Sequence, residues 1–99
     1  MAQLTAAGRL AKVKTALGMN GSEYQDETLS VYIDEIVEFM IDAGVHREVA
    51  ESTAAVGCIA IGVNDLWNYS SGGVRFSEYF KSRVVQLSLK RVETNVQTE

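Results

Sequence analysis

Proline is absent from this sequence, and cysteine, histidine and tryptophan occur once each. Each scarcity excludes something. Without proline no helix interior is forced to break, so glycine must supply the stops. A lone Cys58 cannot close an intramolecular disulfide; set in "VGCIAIG" it reads as a small buried hydrophobe rather than a nucleophile. A lone His46 offers no Ser–His or Cys–His pair, and as a metal ligand it would depend on Asp42 and Glu48 in an ill-defined cluster. No apolar run approaches the roughly 20 residues that a membrane span requires. The opening "MAQLTAAGRLAKVK" lacks the apolar stretch of a secretory signal, so synthesis and residence in the cytosol are expected. Phosphate loops, nucleophile elbows, zinc motifs and calcium-hand spacings are missing as well. The expectation is a protein without catalytic residues, metal or cofactor, which is not an enzyme.

What is present has the composition of a globular domain. Of the 99 residues, 46% are hydrophobic and 22% charged, which suits one domain with one core and needs no metal or disulfide staple. The net charge of −4 argues against binding nucleic acid non-specifically as the main task, since phosphate attraction needs clustered positive charge. Its distribution is uneven. Residues 22–51 hold nine acids, among them Asp34, Glu38 and Asp42, against Arg47 alone. Residues 70–91 hold Arg75, Lys81, Arg83, Lys90 and Arg91 against Glu78 alone. Either segment by itself reads as a solvated helix face. Together they could let the acidic face of one copy meet the basic end of the next, a head-to-tail contact.

Periodicity predicts an all-α fold, a compact bundle of about four helices, as a single domain over residues 1–89 with a polar, mobile tail over 90–99. The first helix is expected over 5–17, capped by Thr5 and closed by Gly18, with Leu10, Val13 and Leu17 inward and Arg9, Lys12 and Lys14 largely outside. The second carries Leu29, Ile33, Ile36, Val37 and Met40 at helical spacing, with Tyr32 and Phe39 on one flank and Asp34, Glu38 and Asp42 stepping along another face. Ser22 and Gln25 fit a capping box for it, Asp26 is a competing start, and Gly44 is the stop. The third is expected to run unbroken over 47–69. It carries Val49, Val56, Ala60, Val63 and Trp67, widened by Ile59 and Leu66, and no charge falls between Ser52 and Val63. That pattern suits a helix buried on most sides. Gly57 and Gly62 within it suggest close approach by a neighbouring backbone. After "NYSSGG", Ser77 caps a fourth helix with Phe80, Val84 and Leu87 inward. The expected core is thus Leu29, Ile33, Ile36, Val37, Met40, Val56, Ile59, Val63, Trp67, Phe80 and Val84.

Aromatic residues concentrate in "GVNDLWNYSSGGVRFSEYF", residues 62–80, which holds Trp67, Tyr69, Phe76, Tyr79 and Phe80. Tyr79 and Phe80 point about 100° apart on a helix, so at least one ring of the group should reach the surface. With Arg75, Lys81 and Arg83 interleaved, these are the residue types enriched at interaction hot spots. Tyr69, Arg75, Phe76, Tyr79, Lys81, Arg83, Lys90 and Arg91 on one side, and Asp34, Glu38 and Asp42 on the other, are therefore the candidate interface residues.

"VKTALGMNG", then the acid-rich helix ending "DAGV", then "GVNDLWN", then glycine followed by "FSEYFKSRVVQL", resembles in that order the bacteriophage head–tail connector, or adaptor, proteins over about residues 10–87. These motifs are structural and contain no catalytic fingerprint. The resemblance implies a small helical virion protein, made in the host cytoplasm, that assembles with copies of itself as a ring on the portal protein. Such a ring matches the portal's symmetry and offers a platform to a stopper or tail-completion protein. It implies further that DNA passes through without specific binding, and that the tail orders against the portal or a neighbour. Two other classes compete. A small helical DNA-binding regulator would need a less apolar third helix and more basic residues. A ligand-binding or enzyme-accessory domain would need a pocket between helices.

Overall fold

The computed structural model describes residues 2–19, 21, 23, 25–68 and 76–90. They form five α-helices: α1 (Ala6–Ala16), α2 (Asp26–Asp42), α3 (Arg47–Ala50), α4 (Val56–Asn68) and α5 (Glu78–Ser88), with a 3-10 turn at Thr53–Ala55 ahead of α4. No strand occurs among the described residues, and the fold is all-α.

Glycine does the work that proline does not. The Thr5 hydroxyl accepts the Gly8 N–H at 2.9 Å to open α1. At its end Gly18 takes φ +74°, Gly18 N–H donates to the Thr15 carbonyl at 3.1 Å, and Met19 N–H donates to the Lys14 carbonyl at 2.8 Å. The same paired stop closes α2. Gly44 sits at φ +109°, its N–H donates to Ile41 at 3.0 Å, and Val45 N–H donates to Met40 at 2.9 Å. In each stop the left-handed residue turns two otherwise orphaned carbonyls into acceptors. α2 begins at Asp26, so the competing start prevails; Gln25 ahead of it gives no side-chain cap, and Ser22 lies outside the described residues.

The expected single helix over 47–69 is three pieces. Its break falls at Ser52, in extended backbone with φ −101° and ψ 173°. The Ser52 hydroxyl donates to the Val49 carbonyl at 2.8 Å and accepts the Ala54 N–H at 3.1 Å, so the side chain replaces the helical ladder on both sides. The N-terminal segment completes the break. Leu4 N–H donates to Glu51 at 3.1 Å, Thr53 N–H donates to Ala2 at 2.9 Å, and the Gln3 side-chain amide donates to Glu48 at 2.7 Å. Backbone that leaves the helix is thus paired by the opening residues of the chain.

α4 is the hub, packed against α1, α2 and α5. Around it the core gathers Val13 from α1; Leu29, Ile33, Ile36, Val37 and Met40 from α2; Val45, Val49, Ala50 and Ala55 from the connection; Cys58, Ile59, Ala60 and Val63 from α4; and Phe80, Val84 and Leu87 from α5. α5 runs back along α4. Ser77 N–H donates to the Asp65 carboxylate at 3.0 Å, and the Phe80 ring lies over Gly62, so the chain reverses after α4 and returns.

Four expected placements are corrected. Trp67 is not core: it is 37% exposed, one turn beyond Val63, with its ring edge-on to Tyr32. Val56 is half-buried at the first residue of α4, packed on the edge of the core. Arg9 is buried, with its guanidinium donating to the Leu4 carbonyl at 3.1 Å; the N-terminal segment folds over it. Lys14 is held in a 2.8 Å ion pair with Asp26 that ties α1 to the start of α2.

Candidate functional site

Among the described residues no three His, Cys, Asp or Glu side chains gather where they could hold a metal ion, and no helix is long and apolar enough to cross a membrane.

One candidate surface is the outer face of α2. That helix carries six acids and no base, because its inward stripe is wholly aliphatic and its charge falls on the opposite side. Asp34, Glu38 and Asp42 are exposed and successive turns apart, with Val31 60% exposed among them. Arg47 reaches Glu38 at 3.5 Å and Glu51 at 3.1 Å. These pairs are exposed, so they contribute little stability and can be exchanged for contacts with another chain. No ion pair joins Asp34 or Asp42 to another described residue.

The second is α5. Ser77 caps it by accepting the Phe80 N–H at 3.1 Å. Phe80 is fully buried while Tyr79 beside it is 64% exposed, which is the 100° divergence expected from their adjacency. Phe76, a candidate interface residue, turns inward instead: its ring lies 4.6 Å from Phe80 and 5.0 Å from Phe39, and this three-ring stack closes α5 onto α2. Lys81 is exposed and pairs with Glu78 at 3.2 Å. Arg83 is half-buried and hydrogen-bonds the Gln86 side chain. Lys90 is exposed at the end of the helix. Tyr69, Arg75 and Arg91, the remaining candidates, lie outside the described residues, as does the expected tail beyond Lys90.

Among the described residues, two grooves open on α1, α2, α4 and α5. One, of about 190 Å³, is lined by Phe39, Ala43, Lys81, Val84 and Val85 between α2 and α5. The other, of about 220 Å³, lies where α1 and α4 end and α2 begins, lined by Leu17, Met19, Gln25, Leu29, Val63, Asn64 and Trp67. Burial pushes the Cys58 thiol up to about 11, partly offset by the positive charge of Arg83. A thiol held protonated is a poor nucleophile.

Sequence reasoning passed over Val85 and Leu89, exposed at 59% and 76%. Their signal was available: once Phe80, Val84 and Leu87 define the inward stripe, Val85 and Leu89 fall well off it on a 100° wheel. It also passed over the groove at Trp67, whose walls come from three helices distant in sequence. Comparison of the chain with protein-family models, with curated proteins and with solved structures gives no match.

Proposed function

We propose that this protein is a structural subunit rather than an enzyme: a head–tail connector, or adaptor, that assembles as a ring on a phage portal and links the DNA-filled capsid to a stopper or tail. The observation that carries the reading is that one small chain exposes unlike surfaces. α2 carries an acidic face, and α5 carries exposed apolar and basic side chains. A closed ring of identical subunits requires two different complementary surfaces on each copy. The ordered motifs over residues 10–87 resemble that family, and the acidic balance suits a channel through which DNA slides, since like charge discourages phosphate contact. Residues 90–99 are the segment proposed to order against the portal or a neighbour. The regulator alternative is less well supported, because Lys81 and Lys14 are paired and Arg9 and Arg83 are drawn inward, leaving few cations for a phosphate backbone.

Native mass spectrometry of the chain with purified portal, across protein concentrations, tests the reading. The expected result is a ring of copies bound to the portal. A chain that never joins the portal, alone or in excess, refutes it. Sequence-dependent retardation of DNA at low salt would favour the regulator.

A further inference from the structure

The groove between α2 and α5 is lined by Phe39, Ala43, Val84 and Val85, with Lys81 as its one charged wall residue. Phe39 and Val85 are exposed, and so is Leu89, one turn beyond Val85, so open apolar surface continues from the groove toward the end of α5. Both helices finish there. A Cβ placed on Gly44, the stop of α2, would lie 3.8 Å from Ser88 Cβ in the last turn of α5. α5 then closes in a tightened turn. Leu89 N–H donates to the Gln86 carbonyl at 3.2 Å and Lys90 N–H to that of Leu87 at 3.1 Å, bonds that span three residues instead of four. The chain has thus left the helix at Lys90, close to the Ala43–Val85 end of the groove.

We propose that residues 91–99 of the same chain turn back after Lys90 and occupy this groove, with Val92 and Val96 against its apolar walls. Length permits it. Nine residues reach about 30 Å when extended, and Lys81, at the far end of the groove, lies about 14 Å back along α5. Charge agrees on both walls. Asp42, next to Ala43 on α2, is exposed and has no ion pair with another described residue, and the segment begins with Arg91. Lys81, on α5, holds only an exposed pair with Glu78 that can be exchanged, and the segment carries Glu93 and Glu99. Tethering decides between occupants. A segment joined directly to the groove's edge meets it at an effective concentration in the millimolar range, which a second copy or another partner matches only at comparable concentration. The contact lies within one chain and does not depend on the connector reading. For a connector it adds a condition: the segment that orders against the portal or a neighbour must first leave this groove.

Nuclear magnetic resonance tests the contact through the methyl and amide signals of Ala43, Val84 and Val85. Those of Leu17 and Met19, at the other groove, serve as the control for an intact fold. A chain ending at Lys90 is expected to shift the first set and leave the second in place. Val92→Asp together with Val96→Asp in the full chain should do the same, and replaces the shortened chain if that fails to fold. A peptide of residues 91–99 added to the shortened chain should restore the shifts, and should bind several-fold more weakly when that chain carries Lys81→Glu. In the full chain the signals should be unchanged on dilution. Shifts confined to residues 88–90 overturn the inference. So do groove signals that change on dilution, which would make a second copy the occupant. Either failure leaves the connector reading to its own test with the portal.

Discussion

Gly62 and Gly57 stand five residues apart in one helix and answer to different physics. A Cβ at Gly62 would sit 2.6 Å from the Phe80 ring and 2.8 Å from Ile36 Cδ1, inside a closed core. The overpacking cost of about 1–3 kcal/mol opposes a helix-propensity gain of about 1 kcal/mol, so Gly62→Ala should lower stability by up to about 2 kcal/mol. At Gly57 nothing lies within 4 Å and the backbone is exposed. Gly57→Ala should therefore raise stability by about 0.5–1 kcal/mol. Urea midpoints at unchanged m-value check both, and the same sign for the two would contradict the packing described. The expected close approach by a neighbouring backbone is thus met at neither glycine: side chains crowd Gly62, and nothing approaches Gly57. Cys58 carries a second prediction. Its folded value of about 11 lies above the ordinary 9.0, so folding favours the neutral thiol. The associated stability is fully present below pH 9 and is lost as pH rises toward 11, by up to about 2–3 kcal/mol. Denaturation measured from pH 8 to 11 should fall less steeply in Cys58→Ala than in the wild type. Parallel profiles would show that the thiol is not shielded.

At the scale of the element, the join between α4 and α5 rests on Ser77. Its hydroxyl caps α5 while its N–H is held by Asp65, so one residue fixes both the start of the helix and its return along α4. Ser77→Ala should cost about 1 kcal/mol, read by thermal melts, and Ser77→Asp, which keeps an acceptor, should recover most of it. Trp67 belongs to this scale too. Half-uncovered, with its edge contact to Tyr32 at 5.7 Å, it contributes less than a core tryptophan would. Trp67→Ala should cost about 1–2 kcal/mol rather than the 3–5 kcal/mol of a buried ring. Acrylamide should quench the native protein's tryptophan fluorescence; a shielded, unquenched ring would reverse the placement. The elements themselves were legible where a local rule governs them. Thr5, Gly18, Gly44 and Ser77 each end or begin a helix through contacts within a few residues. The break at Ser52 was missed because only part of it is local: the Ser52 hydroxyl bonds Val49 and Ala54, but the freed backbone is paired by Ala2, Gln3 and Leu4, about 50 positions away.

For the whole molecule the decisive property is how charge and exposed apolar surface are distributed. A face of carboxylates on α2 should make any self-contact with basic residues weaken as salt rises, with a screening length of about 10 Å at 0.1 M. On the connector proposal, assembly should therefore decline between low and high salt, as followed by light scattering. Asp34→Lys combined with Asp42→Lys should leave melting unchanged, because both side chains are exposed, and should diminish assembly. Unaltered assembly would remove the acidic face from the interface. Lys81 and Lys90, fully at the surface, are cleaner probes of the basic side than half-buried Arg83 beside Cys58.

The sequence by itself determined the helical class, the glycine stops of α1 and α2, and the aliphatic stripes of α2 and α5. These follow from 3.6-residue periodicity and from side chains that bond their own neighbourhood. Only the tertiary structure decided that Trp67 stands at a groove and Phe76 in a ring stack, and that Arg9 is buried. Burial is set by what covers a residue, and the covering elements here come from parts of the chain that no local pattern connects.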